Sequence, residues 1–357
     1  MSRFTPMLRT GAAVGAIALL ASLAACSSDS EGTDDAPQGG DEQVTALQYD
    51  GPEAEFPAAF DEPEQQDGFE FTVGWLSPMT ANNFVNAIAK AGEARTEALG
   101  GKFILKDANN DVNTQVDQCN ELIAQNVDAM AVYAVDPSSL GPCLDEAASK
   151  GIEIIGQDTP PFAGEDLFPH FLSNVSQGPD RSAFEVATLA AQQVEPGASF
   201  ATIGVAIPVP LLKYYTERLG YWAEKYGLEF LGNVDAASDT SQDSATAMND
   251  ILTRWPDVSA VLTYNGPAAL AASTTARASG ATDVKVFGAY TEKAVTEKIA
   301  AGEIAGTSWV DTEGIGTQMI NGLYNAMTDQ NMPLPEQLVV VPKGITADNV
   351  DSITPIQ

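Results

Sequence analysis

One pattern occurs twice in this chain and constrains its fold more than any other feature. Residues 128–158 read DAMAVYAVDPSSLGPCLDEAASKGIEIIGQD, and residues 257–290 read DVSAVLTYNGPAALAASTTARASGATDVKVFGAY. Asp128 aligns with Asp257, Ala131 and Val132 with Ala260 and Val261, Asp136 with Asn265, and Gly151 with Gly280. A short insertion after Gly280 then brings Asp158 opposite Tyr290. Each copy is a hydrophobic strand, a polar residue at its end, a helix, a glycine and a second strand. That is a βαβ unit, whose strands run parallel because a helix carries the chain back. Such units are common enough for a chance repeat to stay open, but duplication implies two similar lobes. Ligands of open α/β sheets sit beyond the carboxyl ends of the strands. Two facing lobes therefore place Asp136, Asp158, Asn265 and Tyr290 on the walls of one cleft.

The chain of 357 residues is long enough for two domains of ordinary size, and strands alternate with helices from residue 69 onward. The fold class expected is α/β. The formal charge of −32 argues against a nucleic-acid partner, because phosphate repels such a surface. The bland reading of that charge is solubility outside the cell or in salt. The single histidine, His170, reads as structural. No metal-binding, phosphate-binding or nucleophile motif is assembled, so neither cofactor nor metal is expected.

The first residues read as a targeting segment. Arg3 and Arg9 precede an apolar run, residues 11–20, that is too short to span a bilayer. Leu23-Ala24-Ala25-Cys26 then resembles the bacterial lipobox, in which the cysteine thiol takes a diacylglycerol; the rival is a plain secretory peptide. Residues 1–26 are thus expected to be a lipoprotein signal peptide with its lipobox, cleaved so that Cys26 becomes the first, lipid-anchored residue of the mature protein. Residues 27–68 hold no Lys or Arg and many Asp and Glu, and are expected to be a disordered acidic linker. An acidic docking tail is the alternative. Cys119 and Cys143 fall on consecutive helices after adjacent parallel strands, which right-handed crossovers set side by side. In an oxidising compartment this predicts a disulfide; two buried free thiols are the other reading. The helix from Phe84 shows a face of Phe84, Ile88, Ala91, Arg95 and Ala98, apolar apart from the arginine.

Short motifs in a fixed order carry a family resemblance. They are Thr80-Ala81-Asn82-Asn83-Phe84, Asp107-Ala108-Asn109-Asn110, Val135-Asp136-Pro137, Ile154-Ile155-Gly156-Gln157-Asp158 and Tyr264-Asn265. Over residues 69–341 the chain resembles the periplasmic sugar-binding proteins of ABC transporters, of the ribose- and galactose-binding type. The resemblance implies two Rossmann-like lobes with parallel sheets joined by a three-strand hinge, the type I periplasmic binding protein fold. It puts an N-terminal lobe at 69–174 plus 311–333 and a C-terminal lobe at 177–309 plus 337–350, with crossings near 174–177, 310–312 and 333–337. The ligand set it implies is Asn82, Asn83, Phe84, Asp107, Asp136, Asp158, Lys213, Asn265, Tyr290 and Trp309. Asp158 matches a sugar-binding aspartate, with Thr159 where an arginine usually follows. Lys213 falls about where another binding arginine stands, and Asn265 matches a binding asparagine. Tyr290 replaces an aspartate and Val310 a glutamine. Trp309 and Tyr290 are candidates to stack on a ring face. Fewer clamping groups imply a ligand with fewer hydroxyls or more apolar surface. The implied function is a monomeric, lipid-anchored receptor on the outer face of the bacterial plasma membrane, which closes on a small polar, sugar-like solute and delivers it to a membrane permease. A sensor subunit signalling to a receptor or kinase is the alternative. An enzyme is not expected. A glycosidase would use Asp136 and Asp158, and no apolar pocket is evident to raise the pKa of either.

Overall fold

The computed structural model describes residues 47–160, 167–207, 209–328, 330 and 334–356. Residues 1–46, with Cys26 and the first part of the expected linker, residues 27–46, lie outside the described residues. No helix of the described residues is long and apolar enough to cross a membrane.

The elements follow in chain order as β1 (Thr72–Ser77), α1 (Asn83–Ala98), β2 (Lys102–Asp107), α2 (Val112–Ala124), β3 (Ala129–Val132), α3 (Pro137–Ser149), β4 (Glu153–Gln157), β5 (Asn174–Ser176) and α4 (Pro179–Gln193). The second half repeats the alternation with β6 (Ser199–Val205), α5 (Pro210–Lys225), β7 (Glu229–Ala236), α6 (Ser241–Arg254), β8 (Ala260–Thr263), α7 (Gly266–Ala278), β9 (Lys285–Ala289), α8 (Lys293–Ala300) and β10 (Gly306–Trp309). The chain ends with α9 (Thr312–Thr328), β11 (Gln337–Val339) and β12 (Lys343–Ile345).

Two six-stranded sheets result, ordered β11-β5-β4-β3-β1-β2 and β12-β10-β9-β8-β6-β7. The orders are equivalent strand for strand, so the repeat seen in the sequence extends through both sheets. All pairings are parallel except β10 with β12. The central strands β3 and β8 are buried along their whole length, which is why they read as continuous apolar runs. The duplication also reaches the backbone. Gly151 and Gly280, each closing a repeat helix, have φ of 76° and 80°, and Asp158 and Tyr290 share left-handed φ values of 45° and 66°.

Helices α1 and α9 pack on one face of the first sheet. Gly316 permits their close approach, since a Cβ there would fall 2.3 Å from the carbonyl oxygen of Ile88. The buried face of α1 runs through Phe84, Ile88, Gly92 and Thr96, slightly rotated from the expected one. Arg95 sits at its border because Nε donates to Asn321 Oδ1 of α9 at 2.7 Å and its guanidinium meets Glu62 at 3.3 Å. On the other face, α2 and α3 are joined by the Cys119–Cys143 disulfide within the apolar cluster of Leu122, Leu140 and Leu144.

The chain passes between the sheets three times. The first crossing leaves β5 at Gln177–Gly178, and the second leaves β10 at Val310, whose side chain is buried in the first lobe. The third departs from expectation. β11 pairs in parallel with β5, so Gln337–Val339 completes the first sheet and the crossing falls at residues 340–342, ahead of β12. The sequence signal missed this because Leu338 and Val339 are equally apolar in either sheet.

A second correction concerns residues 47–68. They are not a free tether: Tyr49 is buried in the core of the second lobe and Phe60 in that of the first. Counting charge hid the aromatic residues spaced along an acidic segment, two of which, Tyr49 and Phe60, are buried in the folded body.

The disulfide yields a direct test. Cys119 and Cys143 are 24 residues apart. Replacing both with serine should lower unfolding free energy by about 3 kcal/mol, the loop-closure value for such a ring. Urea denaturation of the double variant against the oxidised protein measures this, and equal midpoints and slopes would contradict it.

Candidate functional site

The strand ends that face the cleft feed into helices, and each helix N-terminus leaves backbone N–H groups to be satisfied. Short polar side chains supply the acceptors. Asn82 Oδ1 accepts from Val85 N–H at 3.2 Å, Asp136 Oδ2 from Ser139 N–H at 2.9 Å, and Asn265 Oδ1 from Ala268 N–H at 2.8 Å. These three residues, selected from the sequence as ligand groups, are helix caps. Asp136 and Asn265, equivalent in the repeat, cap the equivalent helices α3 and α7. Asn265 also donates from Nδ2 to Asp239 at 3.0 Å, and the Tyr264 hydroxyl donates to the same carboxylate oxygen at 2.6 Å.

Asp158 is placed differently. It is 4% exposed, and four donors converge on its carboxylate. Oδ1 accepts from Gln177 N–H at 2.9 Å and from the Ser176 hydroxyl at 3.2 Å. Oδ2 accepts from the side-chain amides of Gln177 at 3.2 Å and Gln157 at 3.3 Å. Four bonds use about the full acceptor capacity of a carboxylate. Asp158 is thus committed to the first hinge crossing. Burial raises its carboxyl to about 6, against the opposing pull of those hydrogen bonds.

Tyr290 closes the cleft. It leaves the end of β9 with φ 66°, and its ring centroid lies 4.7 Å from that of Phe84 at the start of α1. One ring thereby packs against the apolar clusters of both lobes. Burial pushes its phenol well above the ordinary range, and Tyr215, Tyr133, Asp158 and Glu292 add to that direction. Burial likewise raises the Glu292 carboxyl, with Asp239 adding to it.

Several buried side-chain atoms at these positions have no partner. They include Ser77 Oγ at the end of β1, Gln177 Oε1 at the first crossing, and Thr291 Oγ1 and Glu292 Oε2 just after β9. Each such group costs about 1–3 kcal/mol if left unpaired. Ser77, Gln177, Thr291 and Glu292 thus keep hydrogen-bonding capacity at strand ends and hinge.

The structure thus brings Phe84, Asp158 and Tyr290 together, with Asn82, Asp136 and Asn265 as caps at the strand ends. The other expected residues are placed elsewhere or differently engaged. Asn83 is exposed on the first turn of α1. Asp107 is exposed and bonded to Thr80 and Asn109. Lys213 lies in a groove of about 860 Å³ between α5 and the edge strand β7, whose lining includes none of Asp158, Asn265 or Tyr290. Its side chain is 79% exposed beside Glu217. Trp309 is turned to the C-terminal segment: Nε1 donates to the Thr354 carbonyl at 3.4 Å, and the Lys343 ammonium sits 5.3 Å from its ring centroid. Sequence reasoning missed Tyr133, Gln177 and Glu292. Position signals were available for two of them, since Tyr133 directly follows β3 and Glu292 follows Tyr290 by two residues.

Comparison with known proteins agrees with this architecture. Residues 73–331 match the periplasmic binding protein domain family. The chain is 28% identical over 250 residues to the ribose import binding protein RbsB of Bacillus subtilis, covering 69% of this chain and 78% of that protein. A xylitol-binding protein of Mycolicibacterium smegmatis is 36% identical over 87 residues, 23% of this chain and 25% of that one. In fold, the chain is similar to an ABC transporter solute-binding protein of Bacillus halodurans solved with bound myo-inositol, with a TM-score of 0.70 and 22% identity over 80% of this chain and 98% of that one.

Asp158 gives the site a pH signature. Its carboxyl stands at about 6 in the fold against 3.8 in the open chain. A raised carboxyl contributes stability that is fully present below the open-chain value and is lost as pH rises through the folded one. The stability difference between wild type and Asp158→Asn should therefore move toward wild type by up to about 3 kcal/mol as pH falls from about 7 to about 4. Denaturant titrations of both proteins across that range measure it; a difference independent of pH would show that the carboxyl is not held up.

Proposed function

The chain belongs to the periplasmic binding protein family, and we propose that it is the solute-capturing component of an ABC importer for a small neutral polyol or sugar. The observation that carries this reading is the contact of Tyr290 with Phe84 across the cleft, together with the unpartnered polar atoms of Ser77, Gln177, Thr291 and Glu292 at strand ends and hinge. Aromatic rings offer an apolar face to a carbon skeleton, and carboxylates and amides accept and donate to hydroxyls. Lys213 stands in a groove with a lining of its own, which disfavours a sugar acid needing a cation. The relatives named for ribose and xylitol, and the structural neighbour solved with bound myo-inositol, support the same chemical class.

The protein is a binding protein, not an enzyme. Its work is closure: a guest touching both lobes favours the closed state by the contacts it gains there. Delivery to a permease would follow from recognition of that closed surface. Export and lipid anchoring at Cys26, on the outer face of the plasma membrane, belong to this proposal on the strength of the lipobox-like sequence.

Thermal unfolding with xylitol, myo-inositol, ribose or gluconate tests the reading. A neutral ligand at a hundred times its dissociation constant should stabilise by about 2.7 kcal/mol, and gluconate should not. Tyr290→Ala should reduce that shift and Lys213→Ala should preserve it. A shift with gluconate alone, lost in Lys213→Ala, would replace this ligand class with an acidic one.

A further inference from the structure

Helix α4 begins immediately after the first hinge crossing, and it lacks a cap of its own. Its N-cap residue is Gly178, which has no side chain to accept from the first turn. The acceptor arrives from far away in sequence. Glu53 Oε1 accepts from Asp180 N–H at 3.0 Å and Oε2 from Arg181 N–H at 2.9 Å, with Glu53 2% exposed. A Cβ on Gly178 would lie 3.3 Å from Glu53 Oε2, 2.7 Å from Val339 and 3.1 Å from Pro342. The first crossing, the third crossing and Glu53 therefore meet at one point.

On one side of that point, the segment is held by the second lobe. The ring of Tyr49 packs 5.3 Å from Phe184 and 5.5 Å from Trp222, under the guanidinium of Arg181. Its hydroxyl donates to Asp180 at 2.7 Å, a buried carboxylate that also accepts from Arg218 and Trp222. On the other side, the first lobe takes over. The Pro57 carbonyl accepts from Val339 N–H of β11 at 2.9 Å, and Phe60 N–H donates to Gln318 at 2.7 Å. Gln66 N–H donates to the Tyr324 hydroxyl at 2.8 Å. Four residues separate Glu53 from Pro57, at most about 14 Å of extended chain. All of this precedes residue 73, where the family match begins.

We propose that residues 47–66 are a brace tying the two lobes beside the hinge, with Glu53 as the positioning residue that caps α4 and sets the balance between open and closed forms. The contacts are made with Tyr290 closed on Phe84, so losing them shifts the balance toward opening. The proposal goes beyond capture of a polyol and is tested without one. Small-angle scattering of the ligand-free full chain should show a larger radius of gyration in Glu53→Ala than in wild type, and no change in the surface control Glu146→Ala. Should Glu53→Ala not fold, Glu53→Gln, which keeps one acceptor oxygen, carries the same comparison. An unchanged radius in a folded Glu53 variant, even with lowered melting temperature, overturns the brace and leaves a merely structural cap. Where xylitol binds, its apparent affinity should fall about 3–10-fold in the same variant, as the competent fraction falls. Absence of xylitol binding would bear on the ligand class and not on the scattering result.

Discussion

A carboxylate shut away from water holds the hinge of this protein. Asp158 directly follows β4, and its four donors come from its neighbour Gln157 and from Ser176 and Gln177, where the chain departs for the second lobe. Removing a carboxylate from solvent is expensive, and hydrogen bonding to the charged form is what offsets it. The residual imbalance is visible in the raised carboxyl, at about 6. Such a group is tolerated only where the donors are fixed in place, so the end of β4 and the first crossing are positioned together.

The duplicated architecture gives the rest its shape. Equivalent strand orders present equivalent strand ends to one gap, and equivalent residues cap the helices there. The two copies differ at the equivalent position just past β4 and β9. The position that is Asp158 in one lobe is Tyr290 in the other, both in left-handed backbone. One copy ties the hinge with a hydrogen-bonded carboxyl group and the other spans the gap with a ring.

Legibility in the sequence followed the range of the interactions. The repeat, the alternation of strands and helices, and the pairing of Cys119 with Cys143 all rest on periodicity and on the handedness of short connections, which local sequence carries. Asn82, Asp136 and Asn265 stood out as polar residues at strand ends, and their capping bonds reach only three residues along the chain. By contrast, Glu53 reaches Asp180 across 127 residues, and no local pattern announces that contact. Trp309 is similar. Its residue type suited a stacking platform, but a C-terminal segment 45 residues away takes its indole N–H.

By itself, then, the chain's sequence determined an α/β fold built from a repeated βαβ unit, its placement of polar residues at strand ends, and its disulfide, because strand pairing and helix return are dictated by nearby residues. Tertiary structure alone decided which sheet receives β11, that Asp158 serves the hinge, that Tyr290 meets Phe84, and that residues 47–68 lie on the folded body. Those outcomes depend on groups distant in the chain finding complementary burial and hydrogen bonding, and such complementarity exists only once both lobes have formed.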